Sequence, residues 1–308
     1  MKTMFCEITY PSCGKGEIHA CRWEPDGDVK GVVQILHGIA EHTERYQDFA
    51  TYLNSLGYLV VADDHMGHGQ SGGKDCVQGY FNGGWFAAVE DCYQLMGQTK
   101  AEFPDVPYIL FGHSMGSFMA RTMLIKYPDC GLSAAVICGT GWMPEAVLQA
   151  GSAVAKLVCR FGDEKKPNSL LHKLMFGSYN NRVEHVRTDF DWLNRDSAQV
   201  DRYIADPLCG FPETAGLARD MLTGILFIQK ADNLSKMNMD LPVFFIAGGD
   251  DPVGDYGNCV KKAAEKFQNT GMKNVSCRIY PLCRHEILNE INKNEVYEDV
   301  GQWIADNV

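Results

Sequence analysis

One junction in this chain limits the architectures open to it. Tyr108-Ile-Leu-Phe111 is a short apolar run of strand character. It passes through Gly112-His113-Ser114-Met115-Gly116 straight into Ser117-Phe118-Met119-Ala120-Arg121, which reads as helix. A G-x-S-x-G match alone is weak, since glycine-rich chains produce it by chance. Between a buried strand and a helix it marks a strained turn that lifts a serine hydroxyl clear of a sheet. Such a turn leaves no room for Cβ atoms two residues to either side, which accounts for Gly112 and Gly116. The Met115 N–H then falls at a helix N-terminus, suited to stabilise a developing oxyanion.

The surrounding pattern agrees. Strand-like runs fall at 17–23, 32–36, 59–62, 108–111, 134–138, 243–247 and 275–280, alternating with amphipathic stretches. Helices are predicted after Thr43, a plausible N-cap, and at 85–101, 115–127, 260–267 and 296–304. That is an α/β chain, with a mostly parallel central sheet flanked by helices. Between Met143 and about Asp240 strand-like runs give way to Leu- and Met-rich helical segments, and the βα rhythm resumes at Leu241. The expected organisation is a core of residues 1–142 and 241–308 with a helical cap, 143–240, inserted into it.

Composition excludes several classes. Hydrophobic residues make up 45% and charged residues 22%, a globular balance. The formal net charge of −11, with no Lys/Arg cluster, argues against nucleic acid as a partner. The first twenty residues lack the apolar core of a signal peptide, and no run reaches the length of a membrane span. The 12 cysteines include no CxxC pair and no zinc spacing. They read as reduced thiols of a cytoplasmic protein, with Cys138 and Cys277 serving as small hydrophobes inside strands.

A serine hydroxyl needs a base, and the base a carboxylate to orient it. Downstream of Ser114 lie His172, His185 and His285. The first two fall in the cap, whereas His285 follows the last strand and precedes the last helix, at the sheet edge beside the turn. The acid is expected after the strand at 243–247, where Asp250 and Asp251 are adjacent. Asp251 is preferred because Pro252 holds its backbone extended, leaving Asp250 to cap the following turn. A second oxyanion donor is expected from the loop His37-Gly38-Ile39, with Gly38 turning the Ile39 N–H into the site. Gly67-His68-Gly69-Gln70-Ser71-Gly72 fits a dinucleotide fingerprint, but the residues after it cannot open the helix such a site requires. His65 and His68, with Asp63 and Asp64, read as structural rather than metal-binding.

Taken together, His37-Gly38…Glu41-His42, the segment Asp64 to Ser71, Gly112 to Gly116 and Arg284-His285-Glu286 resemble the monoacylglycerol lipase and lysophospholipase branch of the α/β-hydrolases, grouped with the serine aminopeptidase S33-like enzymes. The likeness runs from about Gly31 to the C-terminus and excludes the cap. It implies an α/β-hydrolase fold, with Ser114, Asp251 and His285 as triad and Ile39 and Met115 as oxyanion amides. It further implies ester hydrolysis without metal or organic cofactor, on a small, lipid-like monoacyl substrate, with at most transient membrane contact. The cap offers two apolar sets, Val147, Leu148, Val154, Leu157 and Val158, then Leu170, Leu171, Leu174, Met175 and Phe176. They either pack the cap onto the core or line an acyl tunnel. Two other functions compete. An aminopeptidase would need cap acids such as Asp189, Asp191 and Asp196 to point inward, and a silent binding scaffold would carry a triad that does no chemistry.

Overall fold

A computed structural model describes residues 4–73 and 76–308. Its centre is an eight-stranded sheet in the order β1-β2-β4-β3-β5-β6-β7-β8. The strands are β1 (Met4–Pro11), β2 (Glu17–Glu24), β3 (Gly31–Leu36), β4 (Tyr58–Asp63), β5 (Tyr108–His113), β6 (Ala134–Cys138), β7 (Val243–Gly248) and β8 (Val275–Tyr280). β1 and β2 are antiparallel to their neighbours, and β4 through β8 run parallel.

Side chains alternate across this sheet, as strand geometry demands. Leu110, Ala135, Ile137 and Phe245 face one apolar layer. It is roofed by α2 (Trp85–Glu102), α3 (Met115–Lys126) and α9 (Asn258–Thr270). Ile109, Phe111, Val136 and Ile246 face the other, under α1 (Gln47–Ser55) and α10 (Lys293–Asn307). Each large apolar side chain buried this way contributes roughly 2 kcal/mol, so the parallel strands are fixed from both faces.

Two local expectations need correction. Thr43 does not cap an α-helix: residues Thr43–Tyr46 form a single 3-10 turn, and α1 begins at Gln47. The Thr43 N–H is instead taken by Asp64 Oδ1 at 2.9 Å, so its orphan donor is satisfied from across the sheet. Cys277 is exposed, because β8 is an edge strand whose residues Ser276 to Arg278 face solvent. Cys138 is fully buried. No disulfide joins any of the described cysteines.

Between β6 and β7 lie α4 (Glu145–Phe161), α5 (Ser169–Phe176), α6 (Ser197–Ala205), α7 (Ala215–Ile228) and the short α8 (Ala231–Leu234). Among the described residues, this stretch contains no strand beyond a lone bridge between Pro167 and Thr214. α7 seats it on the core. A Cβ on Gly224 would sit 2.1 Å from the Trp85 indole, so glycine lets α7 approach α2 to ring contact. Trp85 also donates to Thr122 Oγ1 at 3.1 Å, joining α2 to α3 beneath.

Candidate active site

Ser114 sits between β5 and α3 with φ 54° and ψ −120°. That backbone is costly for a residue with a Cβ and survives only where its surroundings hold it. The flanking glycines explain how. A Cβ on Gly112 would lie 2.4 Å from the Gly116 carbonyl oxygen, and one on Gly116 would lie 2.1 Å from that of Leu36. The Ser114 N–H donates to Cys138 O at 2.9 Å, tying the turn to β6. No side chain caps α3, so the amides of its first turn, that of Met115 included, point to the sheet's C-terminal edge.

His285 arrives from the loop between β8 and α10, and Asp251 from the loop after β7. Asp251 is fully buried and His285 nearly so. The His285 Nδ1 and Asp251 Oδ2 face each other at 3.0 Å, and neither atom has another hydrogen-bond partner among the described residues. The second carboxylate oxygen of Asp251 accepts the Val253 N–H at 2.9 Å. Asp250, by contrast, is exposed. Ser114 and His285 line one cavity of about 580 Å³, with Gly38, Ile39, Ala40 and Glu41. His172 also lines that cavity, paired with Glu213, while His185 is exposed.

The Ile39 loop is built differently from expectation. The positive φ falls on Ala40, at 54°, rather than on Gly38. Gly38 is needed for close approach, since a Cβ there would lie 2.6 Å from Glu41 Oε1 and 3.1 Å from the Ser114 Cβ. The Ala40 carbonyl is held from the helical segment by the Tyr203 hydroxyl at 2.8 Å and the Gly210 N–H at 2.9 Å.

Sequence reasoning missed the group that organises this loop. Glu41 Oε1 accepts the Gly38 N–H at 2.6 Å and the Tyr46 hydroxyl at 2.8 Å, with His113 Nδ1 at 3.2 Å. Its Oε2 takes Arg45 at 2.8 Å, and Arg45 reaches on to both oxygens of Glu286, the neighbour of His285. His113 Nε2 donates to the His285 carbonyl at 3.3 Å. Burial would push the Glu41 carboxyl up, but His113 and Arg45 outweigh it and hold it well below the usual carboxylate range. Burial likewise opposes charge on His113, and Glu41 reverses that, so the imidazole titrates above its ordinary value. The motif His37-Gly38…Glu41 was the one signal in the sequence that could have pointed to this acid.

Because its folded-state pKa is depressed, Glu41 stabilises the fold above about pH 4.5, its ordinary value, and that contribution fades as pH falls through the folded value. Glu41→Gln is therefore expected to lower the urea midpoint at pH 7. The gap to wild type should narrow steadily as denaturation is repeated at lower pH, below 4.5. A gap that stays constant with pH would remove the charge from the account. Since the same side chain orients Gly38, kcat of the variant should fall about tenfold to a hundredfold.

Of the two apolar sets that could either pack the cap or line a tunnel, only Phe176 lines the cavity. Leu148 and Leu171 are buried in packing, and Val147, Leu157, Leu170 and Leu174 are more than half exposed. The apolar wall comes instead from Val186, Phe190, Trp192, Leu193 and Phe211, with the Trp192 ring 5.2 Å from that of His285. Of the cap acids, Asp189 lines the cavity. Asp191 is taken up by the Arg187 and Thr188 N–H groups, and Asp196 caps α6.

Two groups among the described residues have the residue types and closeness of metal ligands: Asp63, His65 and Cys92, and His42, Asp206 and Cys209. Cys92 is the ligand type that the sequence reading of His65 lacked; His68 stands outside the group. Burial pushes the Cys92 thiol well up, which opposes the thiolate a metal needs. In each group the imidazole already faces the carboxylate, Asp63–His65 at 3.1 Å and His42–Asp206 at 2.9 Å. After the glycine-rich stretch at 67–72 the described residues open no helix before α2, and Lys74 and Asp75 lie outside them.

Comparison with known proteins agrees with this architecture. The serine aminopeptidase S33 family matches residues 27–292. The monoacylglycerol lipase of Mycolicibacterium smegmatis is 32% identical over 292 residues, covering 93% of this chain and 92% of its own. The monoglyceride lipase of Mus musculus is 27% identical, covering 95% and 88%. A highly thermostable carboxyl esterase from Bacillus coagulans, solved in complex with glycerol, matches with a TM-score of 0.90 at 29% identity over 99% of both chains. Sheet order, flanking helices and these likenesses make the chain a serine ester hydrolase of the α/β-hydrolase fold. It belongs to the serine aminopeptidase S33 family.

Proposed function

We propose that the chain hydrolyses monoacyl lipid esters through an acyl-enzyme on Ser114. The observation that carries this reading is the buried His285–Asp251 pair at 3.0 Å, whose imidazole member lines the same cavity as Ser114. His285 takes the Ser114 proton as Oγ attacks the ester carbonyl. Asp251 fixes the imidazole with Nε2 toward the serine and offsets the charge it gains. The oxyanion forms between the Ile39 and Met115 amides, and collapse expels the alcohol, which leaves with the proton from His285. Water then repeats the sequence on the acyl-enzyme and releases the acid. No metal or organic cofactor is needed.

In the same proposal, residues 143–240 are a cap over a core of 1–142 and 241–308. The protein works in the cytoplasm and touches membrane transiently through apolar residues exposed on α4 and α5, such as Leu157, Phe161 and Leu174. Among the described residues no helix is long and apolar enough to cross a membrane. The lipid assignment draws on the relatives named above as monoacylglycerol and monoglyceride lipases and on the apolar cavity wall. The aminopeptidase reading loses two of its three acids to local hydrogen bonds, and a silent scaffold would have no need of the buried pair.

The test is a panel of esters with graded acyl length beside an aminoacyl arylamide. A chain-length optimum is expected on the esters, with the arylamide turned over far more slowly. A flat profile from acetyl to long-chain esters would remove the lipid assignment.

A further inference from the structure

A second polar group opens onto the same cavity and takes no part in the chemistry above. Glu213 immediately precedes Thr214, whose hydroxyl caps α7 by accepting the Leu217 N–H at 3.1 Å. Its side chain is 3% exposed and lines the cavity. One carboxylate oxygen, Oε2, pairs with His172 Nδ1 of α5 at 2.9 Å. The other, Oε1, is buried with no hydrogen-bond partner among the described residues. Nearly all buried polar atoms are paired, so an acceptor left open in a cavity wall is a place for a donor to arrive.

The other carboxylate, ammonium and imidazole groups in the lining are those of Lys173, Asp189, His172, Glu41, Glu286, His113 and His285. Glu41 and Glu286 are occupied by Arg45, and Asp189 is exposed. Glu213 is thus the buried acid in this wall that retains an open acceptor. Burial pushes its carboxyl up, and His172 works against that shift.

We propose that Glu213, held in place by His172, is a specificity-determining subsite that accepts a hydrogen bond from a substrate hydroxyl. It thereby selects neutral polyol esters of a fatty acid over simple alkyl esters and over esters carrying phosphate. This rests on the ester-hydrolase reading above and narrows it. A carboxylate offers acceptors alone, so a hydroxyl completes it, an alkyl alcohol leaves it open, and a phosphate is repelled. Sites built to pair a hydroxyl discriminate strongly against analogues that lack one. The chain's net charge of −11 works in the same direction against an anionic head group.

The test measures kcat/KM for three esters of one fatty acid, with glycerol, methanol and glycerol 3-phosphate as the alcohol. Wild type, Glu213→Leu and Glu213→Gln are compared, alongside the rate at which a fluorophosphonate labels Ser114. Wild type is expected to prefer the glycerol ester to the methyl ester at least tenfold. Glu213→Leu should erase most of that ratio through KM, and Glu213→Gln, which keeps a carbonyl acceptor, should retain part of it. Labelling should match wild type in both variants. A ratio unchanged in Glu213→Leu overturns the proposal, as does an equal fall on all three esters with slower labelling, which is the signature of a mere tie between α5 and α7. A glycerol 3-phosphate ester as best substrate of wild type also overturns it. Wild type that neither labels nor cleaves the methyl ester defeats the ester-hydrolase reading instead, and this inference falls with it.

Discussion

Ser114→Ala is expected to lower kcat on a monoacyl ester by about 10⁶-fold and to abolish fluorophosphonate labelling, with the fold intact. The fold should survive because the Ser114 side chain makes no capping hydrogen bond to α3, and alanine meets the same backbone strain as serine at φ 54°. Asp251→Asn should cost about 10⁴-fold, since an amide stabilises the wrong imidazole tautomer. The double variant should be little worse than Ser114→Ala alone, because the three side chains act as a unit. Ester hydrolysis at wild-type rate by purified Ser114→Ala would end the assignment.

Gly116→Ala should be a severely damaging one-carbon change in the core. The added Cβ would meet the Leu36 carbonyl oxygen at 2.1 Å and that of His37 at 2.6 Å, both backbone atoms that no rotamer change can move. Either α3 or the end of β3 must shift, at a cost of roughly 3 kcal/mol or more and a fall in Tm of about 10 °C. The shift also separates the Met115 and Ile39 amides, so activity should fall further than stability alone explains. Gly97→Ala is the matched control. Gly97 lies on an exposed face of α2 with nothing within 4 Å of its added Cβ. That substitution should leave stability equal or raise it by up to about 1 kcal/mol. Equal Tm values for the two variants would show that the close packing at Gly116 is relaxed in solution.

What the sequence made legible follows a physical rule. The inner strands β3 to β7 were readable because burial on both faces writes continuous apolar runs. β1 was missed although Cys6, Ile8 and Tyr10 alternate with Glu7 and Thr9 at a strand's period, because it is an edge strand whose one covered face writes no continuous apolar run. Ser114, Asp251 and His285 were readable because each lies just past a strand, and chain order limits the candidates. The network of Glu41, Arg45, His113 and Glu286 left no such trace. It joins residues up to 241 positions apart, and no local spacing encodes a contact of that kind. The cavity wall was not legible for a related reason. Helical periodicity in α4 and α5 reports which side packs, whereas much of the wall comes from Val186, Phe190, Trp192, Leu193 and Phe211, which lie outside the α-helices.

The Ala40 carbonyl is gripped by Tyr203 and Gly210, while the Glu286 N–H bonds Leu193 O at 2.8 Å and Arg284 bonds the carbonyls of Asp191 and Asn194. The loops that carry Ile39 and His285 are thus both stitched to one stretch of the segment between β6 and β7. A chimera that imports another esterase's insert whole would cut every one of these stitches at once. Grafts should keep turnover only when residues 191–210 stay with their native sheet, so that new specificities are reached by altering the insert's outer helices first.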